Sequence, residues 1–232
     1  MITLRKAQDR GGANFGWLQA KHSFSFGSYY DPDNMGFSKL RVINDDKVSP
    51  GTGFGMHGHK DMEIITFVTS GLIEHKDSMG NVELLPQGEF QLMSAGKGVQ
   101  HSEYNGSQSE DLTLLQIWIE PNEFGGQPGY QQKDFGANAG VTAIATPSGE
   151  DGTLRIKQDA RLSQVILLPN ERVELMVDDT RKYYIHQAQG EMQVNEQGLQ
   201  HGDGAKIQQE SHLLLENRST QKALALLFDL PA

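Results

Sequence analysis

Short runs in which apolar and polar residues alternate recur along the whole chain, and nearly every run stops at Gly, Pro, Asn or Asp. Strand side chains alternate faces with period two, whereas a helix repeats near 3.6, so this spacing predicts strands punctuated by turns. Ile64-Ile65-Thr66-Phe67-Val68-Thr69 is too continuous for a sheet wetted on one side, and that strand is expected to be covered on both faces. Alternating pieces follow at Val82/Leu84 and Phe90/Leu92, with turns at Ser78-Met79-Gly80-Asn81 and Pro86-Gln87-Gly88. Residues 112–119 form a further strand, which Pro121 ends. Upstream, Phe24 and Phe26 share one parity and serines the other, predicting a half-buried strand before the turn Asp31-Pro32-Asp33-Asn34.

Strand-sized pieces recur in the second half at 165–168, Val173/Leu175/Val177, 183–185, Met192/Val194, Ile207, Leu213/Leu215 and 223–228. The rhythm of strand, Gly turn and strand over 63–105 is echoed over 182–217, which predicts a duplicated all-β fold. Between the copies lies 121–140, with five glycines, two prolines and little periodicity. It reads as a linker or as an ordered loop packed by Phe124, Tyr130 and Phe135. The boundary is expected here, giving domains 1–125 and 126–232.

A formal net charge of −10 and a pI of about 5.2 change the picture of partners. The field repels phosphate backbones and anionic membranes, so no direct nucleic-acid binding and no membrane association are expected. Lys21, Lys39, Arg41, Arg155, Lys157, Arg181 and Lys182 are scattered and read as solvated charges. Cysteine is absent, which removes disulfides, thiolate metal sites, iron–sulfur clusters and Cys nucleophiles. The N-terminus lacks an apolar leader and no window approaches the roughly 18–20 apolar residues of a span, so a soluble cytoplasmic chain is expected.

Candidate chemistry sits in two pairs. His57 and His59 point to one side of a strand, as do His101 and Glu103, and facing strands would bring the pairs to one point. Three imidazoles and a carboxylate suit a divalent transition metal. Asp61 and Glu63 share strand parity with both upstream histidines, so spacing alone leaves the carboxylate open. His22 has no partner at ligand spacing and reads as a half-exposed residue beside aromatics; His75, His186, His201 and His212 read as surface or satisfied core residues.

The residues carry a family pattern. Gly51, His57, His59 and Glu63 fit the first motif of the cupins, with Gly71 one position late. Gly98, His101 and Asn105 fit the second, with Gly96 where cupins generally carry Pro. Trp17-Leu18, His22-Ser23-Phe24-Ser25-Phe26, Tyr30-Asp31-Pro32, Met35-Gly36-Phe37, Leu40-Arg41-Val42-Ile43, Asp61-Met62-Glu63 and the run from Met93 to Glu103 are more specific, and on them the chain resembles the pirin family of bicupins. The resemblance implies two tandem antiparallel jelly-roll β-barrels, the first binding metal and the second not, with Leu213 and Leu215 where the first carries His101 and Glu103. It implies ligands His57, His59, His101 and Glu103; Asp61 and Glu63 then read as acceptors that orient imidazole N–H groups.

The activity implied is quercetin 2,3-dioxygenase, in which O₂ opens the flavonol heterocycle, releasing CO and a depside. One divalent ion per chain is expected, iron first, with Ni, Cu, Co, Mn or Zn acceptable to the same donors. Glu103 would also accept the proton of the flavonol 3-hydroxyl. The partners are then a flavonol such as quercetin and O₂, on a monomer, within flavonoid metabolism. Phe24, Phe26, Phe37, Phe54 and Trp118 would supply an apolar wall. The family also contains nuclear, iron-dependent transcriptional cofactors, so a metal- or redox-sensing binding protein is the alternative, and a cupin reaction on another substrate is the third.

Overall fold

A computed structural model describes Met1–Ala232, and the chain is almost entirely strand, with helix confined to 3-10 turns at Ala7–Asp9, Pro32–Asn34 and Glu150–Gly152. In chain order the strands are β1 (Ile2–Arg5), β2 (Gly11–Asn14), β3 (Leu18–His22), β4 (Leu40–Val48), β5 (Gly53–His59), β6 (Glu63–Ser70), β7 (Leu72–Asp77), β8 (Val82–Pro86), β9 (Glu89–Ser94), β10 (Val99–Asn105), β11 (Leu112–Ile119) and β12 (Gly129–Asp134). Then come β13 (Gly140–Thr146), β14 (Leu154–Arg155), β15 (Arg161–Leu167), β16 (Arg172–Met176), β17 (Lys182–Gln189), β18 (Met192–Val194), β19 (Gln197–Leu199), β20 (Gly204–Gln208), β21 (His212–Glu216) and β22 (Ala223–Leu230).

They build two units, each a two-sheet β-sandwich, as the expected bicupin requires. One unit holds Gly11–Gly136 and Leu154–Gln158, with a seven-stranded sheet in the order β12-β9-β6-β11-β4-β3-β2 and a four-stranded sheet β5-β10-β7-β8. The other holds Met1–Arg10, Ala137–Thr153 and Asp159–Ala232, with β1-β20-β17-β22-β15-β13 consecutive in its large sheet and β16-β21-β18-β19 in its small one. The boundary expected between residues 125 and 126 is therefore displaced. β12 lies inside the supposed linker, yet it pairs with β9 in unbroken register from Gly129↔Ser94 to Asp134↔Glu89. Its residues, Gly-Tyr-Gln-Gln-Lys-Asp, hide the strand because polar side chains occupy both faces of an edge held mainly by its backbone ladder. Phe124 does not pack, being 72% exposed, whereas Phe135 meets Phe90 edge-on.

The strand predicted at Phe24 and Phe26 is a tight turn, closed by the Phe26↔Tyr29 bridge. Local polar chemistry overrides the alternation: Ser25 Oγ donates to Asp31 O at 2.9 Å and accepts from Asp31 N at 2.8 Å. Gly96, where cupins generally carry Pro, has φ +48°, and a Cβ there would lie 2.1 Å from Gly126 O. The local geometry thus demands glycine.

Apolar residues fill the N-terminal sandwich at two levels. Leu18, Val48, Val68, Ile73, Leu85 and Leu114 form one cluster, and Ile64, Met93, Ala95 and Val99 another. A polar row runs across the large sheet between them, strand by strand: His22 pairs with Asn44, Asn44 with Gln116, Gln116 with Thr66, and Thr66 with Gln91. Such a row buries polar groups at a cost of about 1–3 kcal/mol each unless they find partners. The site explains where those partners are.

Candidate metal centre

β5 and β10 pair antiparallel with His57 opposite His101 and Val99 opposite His59, which sets three imidazoles on one wall of the sandwich. Their ring centroids lie 4.5 Å (His57 to His101), 4.8 Å (His57 to His59) and 4.9 Å (His59 to His101) apart. One nitrogen from each falls within 4.8 Å of the others. Close approach of the strands depends on Gly53, where a Cβ would lie 2.3 Å from Glu103 O and 2.4 Å from Tyr104 Cα. The spacing argument from period two therefore holds for all three histidines.

Several of their nitrogens have a lone pair uncommitted within the protein. His57 Nδ1 lies 2.8 Å from Gly55 O, so as a donor there it leaves Nε2 with its lone pair free. His59 Nε2 and both ring nitrogens of His101 are buried without a hydrogen-bond partner. Burial above all, then the neighbouring His101 and His57, hold the His59 pKa down at about 4, against the pull of Glu103. Burial, then His57 and His75, take His101 down to about 3, against Asp77. Both are neutral near pH 7, the form a metal needs.

Glu103, opposite Phe54 and past a register shift in β10, is 3% exposed. The polar row grips it. Oε1 accepts from Thr66 Oγ1 at 3.3 Å and Gln91 Nε2 at 3.2 Å, and Oε2 accepts from Gln116 Nε2 at 3.1 Å. Gln116 is itself set by Trp118 Nε1 (3.3 Å), and Gln91 by the Tyr130 hydroxyl (3.2 Å). Its carboxylate falls within 4.8 Å of donor nitrogens of His101 and His75, a grouping separate from the His57, His59 and His101 trio.

His75 departs from its expected role as a surface or satisfied residue. It is fully buried, its ring centroid lies 5.4 Å from that of His101 and 4.7 Å from that of Tyr130, and Nε2 sits 3.2 Å from Asp77 Oδ2 while Nδ1 has no partner. The spacing His75-Lys76-Asp77 repeats the i,i+2 signal of the chosen pairs, and that is what could have found it. Of the remaining histidines, His186 is fully buried with neither ring nitrogen partnered, contrary to a satisfied core residue, while His201 Nδ1 lies 2.7 Å from Ala188 O and His212 is partly exposed.

Asp61 and Glu63 do not orient the imidazoles. Asp61 accepts from Gly125 N at 2.6 Å, and Glu63 accepts from Ser94 Oγ at 2.9 Å and Lys157 N at 3.1 Å. Each carboxylate ties down a loop instead.

Beside the histidines opens a cavity of about 440 Å³ walled by Phe15, Trp17, Phe26, Phe54 and Trp118, with His57 and His59 on its border. Of the expected aromatic wall, Phe26, Phe54 and Trp118 are in place; Phe24 and Phe37 are buried elsewhere and do not line it. His22, expected to be half-exposed, is 4% exposed, lines the cavity and lies 2.8 Å from Asn44 Oδ1 through Nδ1. No helix is long and apolar enough to cross a membrane.

Two β-sandwiches, one with three converging imidazoles beside an apolar cavity, define a bicupin with a single histidine-lined centre. The chain belongs to the pirin family: it matches Pirin over residues 3–119 and the quercetinase C-terminal cupin domain over 143–230. It is 48% identical over 231 residues to quercetin 2,3-dioxygenase of Escherichia coli K12, covering 100% of this chain and 99% of that protein. It is 45% identical over 215 residues to a pirin-like protein of Caulobacter vibrioides, covering 91% and 92%. The crystal structure of the Escherichia coli pirin YhhW in complex with nickel(II) superposes with a TM-score of 0.96 at 47% identity, over 100% of this chain and 99% of that one.

Proposed function

We propose that this protein is a metal-dependent quercetin 2,3-dioxygenase whose one divalent ion is held by His57, His59, His101 and Glu103. The observation that carries the reading is the convergence of His57, His59 and His101, with buried unpartnered nitrogens on His59 and His101, beside an apolar cavity of about 440 Å³ that His57 and His59 border. The 48% identical enzyme and the nickel-bound relative support it. An ion there would supply Lewis acidity, lowering the pKa of a hydroxyl brought to it.

The chain's own residues do the rest. Trp17, Phe54 and Trp118 hold a planar ligand and exclude water, which strengthens every polar contact inside. Thr66, Gln91 and Gln116 fix Glu103 in one rotamer, and Glu103 accepts the proton of the 3-hydroxyl. Iron is the proposed native ion, although the donors equally suit nickel.

The test is O₂ uptake and CO release with quercetin, measured per bound metal, in wild type and Glu103→Asp. The shorter side chain keeps the charge but withdraws the carboxylate, so metal content is expected to fall modestly and turnover per metal by about 10²-fold or more. Wild-type turnover per metal in the variant makes Glu103 a ligand only. Metal without any O₂ uptake on flavonols, alongside metal-dependent binding of a protein partner, moves the reading to a sensor.

A further inference from the structure

Asp46 lies two residues beyond Asn44 on β4, on the same face, and borders the cavity that His57 and His59 also border. It is 3% exposed, and its Oδ1 has no hydrogen-bond partner. The neighbouring cation is engaged elsewhere, Lys47 pairing with Asp111 at 2.7 Å. A buried carboxyl oxygen without a partner costs about 1–3 kcal/mol, and folded proteins rarely retain one unless something in the adjoining space satisfies it. His22 and Asn44 meet each other, and Gln116 is committed to Glu103 and Trp118. Asp46 is the polar group of this wall that the protein leaves for the cavity's contents.

Its protonation state favours a neutral ligand. Burial first, then the charges of Asp45 and Glu103, raise its pKa to about 8, so near pH 7 the carboxyl is un-ionised and can donate as well as accept. Its cross-strand neighbours, Ala20 and Leu114, are apolar and offer a ligand no hydrogen bond.

We propose that Asp46 is a specificity-determining residue, hydrogen-bonding a ring hydroxyl of a planar polyphenol whose other end lies at the His57, His59 and His101 cluster. The inference rests on the flavonol reading above. A site built to pair a buried hydroxyl rejects the analogue lacking it far more strongly than an apolar pocket rejects a change of size.

The experiment is an anaerobic equilibrium titration of metal-loaded wild type, D46N and D46L with quercetin and with 3-hydroxyflavone, which keeps only the 3-hydroxyl. Wild type is expected to favour quercetin by about tenfold or more, D46N to keep most of that preference because an amide still donates and accepts, and D46L to lower it below about threefold through weaker quercetin binding. Metal content and thermal melting are recorded for each protein; D46A, which adds no bulk, replaces D46L should that variant not fold. An unchanged preference in D46L, or none in wild type, overturns the inference alone. Metal-loaded wild type that binds neither compound overturns the flavonol reading with it.

Discussion

The two sandwiches repeat one another in backbone and differ in what fills them. β21 holds in its small sheet the place that β10 holds in the other, second in the orders β16-β21-β18-β19 and β5-β10-β7-β8. Even a loop anchor is duplicated: Asn105 Nδ2 donates to Val48 O and Glu110 O, and Asn217 Nδ2 donates to Leu167 O and Gln221 O. Yet where β10 carries His101 and Glu103, β21 carries Leu213 and Leu215, both fully buried. The polar row across the first large sheet has an apolar counterpart in the second, where Leu4 pairs with Ala205, Ala205 with Ile185, and Ile185 with Leu227, all in or against one core cluster. Each buried Leu or Ile contributes about 1.5–3 kcal/mol, whereas a buried polar group contributes only about 0.5–1.5 kcal/mol when paired and costs about 1–3 kcal/mol when not. The second sandwich is built for stability and the first for a site, and a bound ion would offset the difference by favouring the folded state.

The contrast breaks most sharply under a crossed pair of truncations. His101→Ala is expected to abolish metal binding and flavonol cleavage while changing apo-protein stability little. Leu213→Ala is expected to cost about 2–5 kcal/mol in urea unfolding while each folded chain still binds one ion. Elemental analysis and denaturation on the same preparations check both. One ion retained in His101→Ala, or metal lost from folded Leu213→Ala, would show that the sandwiches do not divide the work in this way.

The next effect belongs to pH. Asp46 has a folded pKa of about 8, well above the 3.8 of a free Asp carboxyl, so between those values the folded apo-protein keeps a proton that the unfolded chain has released. Its contribution to stability is therefore whole below pH 3.8, falls as pH rises, and is flat above pH 8. His59 and His101 act in the opposite sense, losing stability as pH falls from 6.5 toward 4 and 3. Asp46→Asn removes only the first slope. The variant is expected to match wild type near pH 4 and to exceed it by about 4–5 kcal/mol near pH 8, the 3.8-to-8 window taken at about 1.4 kcal/mol per pH unit. A constant difference across that range would mean that Asp46 is ionised in the fold.

Period-two spacing was enough to bring His57, His59 and His101 together, because each lies in an i,i+2 pair on one strand and needs no knowledge of pairing, whereas the choice of Glu103 over Asp61 and Glu63 came from the family resemblance. The all-β, duplicated architecture showed for the same reason. The polar row did not. Its members lie in five strands, Thr66, Gln91 and Gln116 singly between apolar neighbours and His22 and Asn44 among other polar residues, and they become a row only through sheet register. For Thr66, Gln91 and Gln116 a lone polar residue between apolar neighbours was the available signal. β12 escaped because an edge strand held by its backbone needs no alternation, and the turn at Phe24 to Tyr29 because the Ser25 and Asp31 bonds decide it locally.

The smallest expected effect tests whether the row serves the site or merely fills space. Thr66 and Gln91 share Oε1 of Glu103, whereas Gln116 is the partner of Oε2. Thr66→Val keeps shape and branching and removes one hydroxyl, leaving Oε1 its bond from Gln91, so stability should move by no more than about 0.5 kcal/mol. Gln116→Leu strips Oε2 of its donor and also frees Trp118 Nε1, so the carboxylate can rotate. Because groups that orient a ligand typically tune metal affinity by about 10- to 100-fold, Gln116→Leu should weaken metal binding by about that factor, and Thr66→Val by only severalfold. Competition titration with a metal-buffering chelator measures both. Equal affinities in wild type and Gln116→Leu, with both folded, would mean that Glu103 needs no help from the row to meet the ion, and that the row's polarity serves the cavity instead.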